Sequence, residues 1–440
     1  VAKENSNTKN TEKEGIALFL TAWNLLLIPF KPMDIRLLWL LMNRLNRDSH
    51  HRLTRLMLRL AVVVTACGIA AILLSYAIVG GFQTVIPAKF TAFSGHVQVQ
   101  KLSSAGDFES SPFAPTDALL DSLYEIKGVA LLAKVGYKAA IAHHQEEFEG
   151  ILFKGIEQGY PEELLQEWLT QGTLPAKNSG AGKVEVLVPE SLARRLRLAI
   201  GDRLKLYFIQ HPIRARSVVV TGFYRLGIEA EFGRPIIIGP LNMIRKINDW
   251  SPQQVGQVEM HLTDLEALPS VVDATRKLID PQWEAYSIKD RFANLFGWLG
   301  LFDLNKQVML LIMLLVCGVN ILSALLIFIL ERVPSIGLLK SLGMENSNIR
   351  LLFVMAGLGT CLKGLFWGNV VFWLVYVVQN RWKIIALDEE NYYVDAVPMH
   401  LPFDDALGIN AVVLLACFLL CLAATWIIGK INPVHSMRFD

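Results

Sequence analysis

Apolar residues along this chain gather into four long runs, Leu60 to Val79, Gln307 to Leu330, Leu351 to Val378 and Ala406 to Gly429. A helix needs about 20 residues, at about 1.5 Å of rise each, to cross a hydrocarbon core of about 30 Å. Each run is long enough, and only the third contains a formal charge, Lys363. Backbone groups in lipid must bond within their own segment, so the runs are expected to be helices. Between the first and second runs the pattern changes to short segments, several of which alternate apolar with polar. The layout predicts a membrane protein of four transmembrane α-helices with a large α+β extracytoplasmic domain inserted between helices 1 and 2. Expected boundaries are 56–86, 301–331, 351–379 and 406–430 for the helices and 87–300 for the insert, with loops at 332–350 and 380–405 and a tail at 431–440.

Within the insert, strands are expected at His96–Gln100, Val135–Ala142, Gly150–Gly155, Val184–Pro189, Asp202–Ile209, Ser217–Tyr224 and Gln257–Leu262. Helices are expected at Thr116–Ile126, Pro161–Leu169, Glu190–Leu196, Leu241–Asn248 and Asp264–Leu278. That inventory implies two α+β lobes, with Gln210 to Arg216 at the tip of a hairpin. Ahead of the first run, residues 1–32 read as an extension that is disordered or absent from the mature protein, Met33 being a natural beginning. In 33–55, Ile35, Leu38, Leu41, Met42 and Leu45 share a face that Arg36, Asn43, Arg44 and Arg47 largely avoid. This suits a short amphipathic helix lying in the headgroup layer.

Charge orients the layout. Lys31, Arg36, Arg44, Arg47, Arg52, Arg55 and Arg59 face only Asp34 and Asp48, and the 331–350 loop adds Arg332, Lys340 and Arg350. The Asn380 to Leu407 segment instead holds Asp388, Glu389, Glu390, Asp395, Asp404 and Asp405. Positive loops stay inside, so both termini and the 331–350 loop are expected in the cytoplasm and the insert on the outer side of the membrane. A 53% hydrophobic content fits half a chain in lipid, and 19% charged residues leave room for a wet domain. All 5 cysteines fall in the runs and read as packing residues.

Catalytic chemistry is missing from the pattern. Gly180, Gly182 and Lys183 do not make a phosphate loop, because Lys177 stands where the first Gly belongs and Val184 where Ser or Thr belongs. His143, His144 and Glu147 lack zincin spacing and fit a solvated turn, so no metal is expected. The chain is not expected to be an enzyme or to bind nucleic acid. Any ATP and Mg must be held by a separate ATPase.

The 332–350 loop is the most specific segment. In Glu331-Arg332-Val333-Pro334-Ser335-Ile336-Gly337-Leu338-Leu339-Lys340-Ser341-Leu342-Gly343-Met344, Pro334 suits a first helical position and Gly343 a position just past a helix end. Ile336, Leu339 and Leu342, with Leu338 beside them, predict an apolar edge on a helix too short to stand alone.

This stretch resembles the coupling loop of FtsX-like permeases, the membrane subunits of type VII ABC transporters. Gly80-Gly81-Phe82, Gly95-His96, Gly201-Asp202 and Pro433-Val434 also match positions of that family. Within it the chain is similar to lipoprotein-releasing permeases of the LolC and LolE type, particularly a Bacteroidota-like branch, over about Met33 to Asp440. The resemblance implies two copies of a cytoplasmic ABC ATPase, a second permease copy or paralogue, a lipoprotein substrate, surrounding lipid and a periplasmic carrier. It assigns the ATPase contact to Glu331, Arg332, Ile336, Gly337, Leu338, Lys340, Leu342 and Gly343. Acyl chains would meet Tyr76, Ile78, Val79, Phe82, Val85, Ile86, Phe90 and Phe93 on one side and Leu295, Phe296, Trp298, Leu299, Leu301 and Phe302 on the other. The same rings also fit an aromatic belt at a membrane interface.

Carrier contact would fall on Pro212, Arg214 and Arg216, although the hairpin tip is shorter than the family's protruding one. Lys363 and Asn320 are polar groups within spans, and Lys363 is expected to serve packing or gating with carbonyls, Asn320, Asn369 or water as partners. Two other readings of the family resemblance are a MacB-like mechanotransmitting exporter, usually fused to its ATPase, and an FtsX-like regulator of cell-wall hydrolases.

Overall fold

The computed structural model describes residues 52–102, 111–176 and 183–426. The expected amphipathic helix, the 1–32 extension, Gly180, Gly182, the end of the fourth run and Pro433-Val434 lie outside those residues. The chain forms two compact units, one of residues up to Ala77, Leu304–Arg381 and Leu401 onward, the other of Ile78–Asp303 and Trp382–His400.

In chain order the elements are α1 (Arg52–Ser94), β1 (Val97–Lys101), α2 (Asp117–Tyr124), β2 (Val129–His144), β3 (Glu147–Ile156), α3 (Glu162–Trp168), β4 (Leu169–Gly172) and β5 (Val184–Pro189). Then come α4 (Glu190–Arg195), β6 (Arg203–Phe208), β7 (Arg214–Tyr224), β8 (Ile236–Pro240), α5 (Leu241–Asn248), β9 (Gln257–Leu262), α6 (Leu268–Leu278), β10 (Trp283–Ser287) and α7 (Ile288–Arg291). The remainder is α8 (Ala293–Glu331), α9 (Val333–Ser341), α10 (Asn346–Trp382), α11 (Glu389–Tyr392) and α12 (Phe403–Thr425).

In the domain unit the strands run β10-β1-β9-β2-β3-β8-β5-β7-β4, with β6 bridging β2 and β7. Hairpin pairs are antiparallel, whereas β3 with β8 and β5 with β7 are parallel and are reached by crossovers. All seven expected strands are present. β4, β8 and β10 are additional: β8 is a short apolar run between Pro235 and Pro240, and those prolines read as loop punctuation.

α1 and α8 extend beyond the expected spans, to Ser94 and back to Ala293. The added turns are helical because they carry an apolar face: Ile86, Phe90, Phe93, Leu295 and Leu299 all enter the domain core. Gly95, at φ +70°, then turns the chain from α1 into β1, and a side chain there would meet Glu259 and Met260. His96 follows and its Nδ1 accepts the Leu262 N–H at 3.1 Å.

Beneath that turn lies a charged cluster in the core. Lys154 on β3 and Glu259 on β9 pair at 3.0 Å, both essentially inaccessible. The Lys154 ammonium also donates to the Phe93 carbonyl in the last turn of α1 and sits 4.2 Å from the centre of the Phe93 ring. Tyr137 and Gln257 each donate to Glu259 at 3.0 Å, and Gln98 donates to the Ser94 carbonyl at 2.9 Å. Burial pulls the Lys154 ammonium below the ordinary lysine range while Glu259 opposes that shift. The cation offsets the negative C-terminal end of α1 and satisfies a carbonyl that the helix itself leaves open.

In the membrane unit the packing fixes the helix directions. Gly364 and Gly368 of α10 lie against Val62–Thr65 and Ala66–Ile69 of α1, so these helices run parallel. Gly68 meets the Cys317 sulfur, Gly318 meets Leu420 and Gly357 meets the Cys421 sulfur, so α8 and α12 run antiparallel to them. Small residues let the backbones approach, which is how helices associate where lipid removes the hydrophobic drive. Four cysteines are buried as expected, but Cys67 is exposed, on the opposite side of α1 from its packed face.

Two predictions follow from the domain core. Glu259→Leu strands the buried Lys154 charge and should lower stability by about 3–5 kcal/mol, while the Lys154→Met/Glu259→Leu pair should cost less than the single change. Denaturant unfolding of the full chain in detergent, followed by tryptophan fluorescence, measures both. Burial, with each histidine near another basic group, lowers His96 and His261 from 6.5 to about 4. The unfolded chain therefore binds more protons between those values, so stability should be flat above about pH 6.5 and fall as pH drops toward about 4.

Candidate functional site

α9 connects α8 and α10 within the membrane unit. Pro334 stands in its first turn, where a missing N–H costs nothing. Its other end is closed by a pair of bonds, Gly343 N–H to the Lys340 carbonyl and Met344 N–H to the Leu339 carbonyl, each 3.0 Å. Gly343 has φ +86°, the left-handed conformation this closure requires. A helix of nine residues is thus fixed at both ends.

Its exposed edge differs from the expected one. Ile336 and Gly337 are buried in their own unit, whereas Leu338 and Leu342 are 57% and 75% exposed. Positions four apart stand one above the other on a helix, so Leu338 and Leu342 form the outward stripe and Ile336 turns inward. Glu331, Arg332 and Lys340 are half-buried, and the Arg332 guanidinium lies 6.0 Å from the Phe328 ring centre. Burial and the nearby Arg350 push the Lys340 ammonium below its usual range.

The aromatic residues assigned to acyl chains divide into two groups. Ile86, Phe90 and Phe93 are inaccessible, and Leu295 and Leu299 are nearly so. Phe90 packs edge-on to Phe292 and Tyr393, and Phe93 packs against Trp168 and Phe232. These five hold the domain core and present no surface to a ligand within this chain. Accessible apolar surface comes from Trp298 and Leu301, with half-buried Ile78, Val79, Phe82, Val85, Phe296 and Phe302. Phe82, Phe302 and Trp298 form a ladder with centroids 6.2 and 4.7 Å apart, and Gln83 donates to the Leu299 carbonyl at 3.2 Å. Tyr76 belongs to the membrane unit, where the Lys306 ammonium lies 5.8 Å from its ring centre.

A segment not singled out by sequence reasoning packs beside this ladder. Trp382–His400 belongs to the domain unit, and the carbonyls of Pro398 and His400 fill the space that side chains at Gly81 and Gly80 would need. The Lys89 ammonium donates to the carbonyls of Leu226 and Tyr393 at 3.0 and 2.8 Å and pairs with Glu389 at 3.2 Å. The acidic character of the segment was the available signal, read there only as topology. Gly80-Gly81 acquires a physical reason here: only glycine lets α1 be crossed so closely by another backbone.

At the domain tip Pro212 and Arg216 are exposed. Arg214 is engaged: it holds Asp249 through bonds of 3.0 and 2.6 Å and the Ile247 carbonyl at 2.7 Å, so it ties the hairpin to the end of α5. Gly201-Asp202 forms the turn into β6, with Gly201 at φ +96° and the Asp202 carboxylate accepting the Ala199 N–H at 2.8 Å. His143 stacks on Phe148, centroids 4.2 Å apart, at the end of the β2–β3 hairpin.

Within the bundle Asn320 donates to the Ala61 carbonyl at 3.4 Å, and Asn369 and Asn410 exchange amide bonds of 2.9 and 3.1 Å. Asn320 and Asn369, the two side chains expected as partners for Lys363, are therefore engaged elsewhere. Lys363 is exposed and lines a cavity between α1, α8 and α10.

Comparison with known proteins matches two consecutive stretches of the chain. The model of the MacB-like periplasmic core domain covers residues 60–278, and that of the FtsX-like permease C-terminal region covers 307–433. Residues 307–433 therefore resemble FtsX-like permeases. It is 22% identical over 411 residues to the lipoprotein-releasing system transmembrane protein LolC of Xylella fastidiosa, covering 86% of this chain and 93% of that one. It is also 22% identical over 404 residues to LolE of Haemophilus influenzae, covering 85% and 91%. The extracellular domain of the noncanonic ABC-type transporter YknZ aligns with 43% of this chain and 99% of that one, at 17% identity and a TM-score of 0.31.

The Gly80-Gly81 crossing generates a prediction. Gly81→Val should displace the Pro398 carbonyl at a cost of about 1–3 kcal/mol. Limited proteolysis should then cut 382–400 faster than in the parent chain, with the rest of the domain unit still protected.

Proposed function

We propose that this chain is the transmembrane permease subunit of an ABC transporter that extracts lipoproteins from the bacterial inner membrane for a periplasmic carrier. A separate cytoplasmic ATPase, present in two copies and binding ATP and Mg, drives it, and a second permease copy or paralogue completes the complex. Both termini are cytoplasmic and the domain unit is periplasmic. The observation that carries the reading is α9, a short helix that begins at a proline and is closed by hydrogen bonds at its C-terminal end, whose outward stripe, Leu338 and Leu342, is apolar and exposed among the described residues. Nearly full-length similarity to LolC and LolE supports the substrate class.

In this mechanism Leu338 and Leu342 fill a groove on the ATPase, and the half-buried Arg332 and Lys340 face its acids at the rim. Gly343 lets the loop turn sharply against it. Closure of the ATPase pair moves both copies of α9, and the movement passes along α8 and α10 as helices. Acyl chains gather on the accessible ladder of Phe82, Phe302 and Trp298, and closure of the paired permeases expels them. Carrier docking falls to Pro212 and Arg216, since Arg214 is tied to Asp249.

The test is Leu338→Glu with Leu342→Glu, both at exposed positions and so tolerable to the fold. An apolar anchor pair contributes about 2 kcal/mol or more, so affinity for the ATPase should drop roughly thirtyfold. Tagged permease should then purify without ATPase, and acylated lipoproteins should accumulate in the inner-membrane fraction. Normal co-purification with normal release would refute the assignment.

A further inference from the structure

The membrane unit holds a cavity of about 770 Å³ whose lining is mostly apolar, with Arg59, Thr360 and Lys363 as its polar members. On α1 the lining positions Arg59, Val63 and Cys67 recur every four residues, and on α10 Lys363, Trp367 and Val371 do the same. α1 and α10 run parallel, so each stripe, followed from its cation toward the C-terminus, turns apolar in the same sense, while the α10 lining also continues the other way through Thr360, Gly357 and Ala356. The contact of Gly364 with Val62 and Thr65 places Lys363 about one turn, roughly 5 Å, from the level of Arg59. Side chains on parallel helices lean the same way, so the two cations keep that offset of about one turn, which long flexible side chains can span.

Among the described residues, no carboxylate lines the cavity. Lys363 forms no hydrogen bond or ion pair with a described residue, and Asn320 and Asn369 are bonded elsewhere. A cation at this depth needs an anion or water brought from outside the chain. Val63, Cys67 and Trp367 are all exposed, so the apolar stripe is open to whatever occupies the lipid phase.

We infer that this cleft binds one anionic phospholipid, its phosphate held between Arg59 and Lys363 and an acyl chain lying along Val63, Cys67, Trp367 and Val371. Charge complementarity selects the headgroup, and the order of cations then apolar groups matches the order of a lipid from phosphate to tail. In the proposed topology the lipid comes from the cytoplasmic leaflet. The site is a property of the permease alone and needs neither ATPase nor substrate, so its test and the test on α9 fail independently.

The experiment uses the purified full chain in mixed micelles with brominated phosphatidylglycerol or brominated phosphatidylcholine. Quenching specific to Trp367 is obtained by difference from Trp367→Phe. Half-quenching should need about fivefold less phosphatidylglycerol than phosphatidylcholine, the scale of attraction for a cation facing anionic lipid. Lys363→Met with Arg59→Gln should abolish the preference, and Lys363→Arg should retain it. Should the double variant misfold, Arg59→Gln alone, at an exposed position, should still reduce the preference. Equal quenching by the two lipids, as a protein partner or a neutral lipid would give, overturns the inference. So does a preference that survives loss of both cations.

Discussion

The Lys154 ammonium holds the end of α1, and the arrangement of the domain unit depends on that grip. A helix that leaves lipid carries open carbonyls and a negative end into a protein core, where neither is tolerated without a partner. Lys154 meets the Phe93 carbonyl, Glu259 neutralises Lys154, and Tyr137 and Gln257 occupy the remaining carboxylate positions. Three central strands thereby converge on the last turn of one helix. Gly95 and His96 complete the exit, one by its backbone conformation and the other by accepting the Leu262 N–H.

The membrane unit is held by a different means. Its contacts pair glycines with cysteine sulfurs or leucine, so packing replaces the hydrophobic drive that lipid cancels. Polar groups are spent in pairs, Asn369 with Asn410 and Asn320 with a carbonyl. Lys363 is the exception, and its setting beside Arg59 makes the cleft amphipathic rather than merely unfilled.

Periodicity revealed much of this layout. Four apolar runs gave four helices, strict alternation gave β9 to the residue, and a short apolar run ending at Pro189 gave β5. What periodicity missed was tertiary. β8 was hidden by its flanking prolines, and the true ends of α1 and α8 lay in turns that are apolar only on the side facing the domain core. At the candidate sites, residue type was legible but facing was not. Ile336 and Leu338 look equivalent in a short apolar helix, as do Phe90 and Phe302 in an aromatic cluster, and only packing separates the covered member from the open one. Arg214 was read as an exposed base, whereas its partner Asp249 lies far along the chain on another element.

The close crossing at Gly80-Gly81 has a mechanical consequence. Carbonyl oxygens seated in the notch left by two absent side chains act as a key in a keyway: spinning α1 about its own axis would swing neighbouring side chains into Pro398 and His400. That part of α1 therefore cannot turn beneath its strap without displacing it, so the two can move only as one piece.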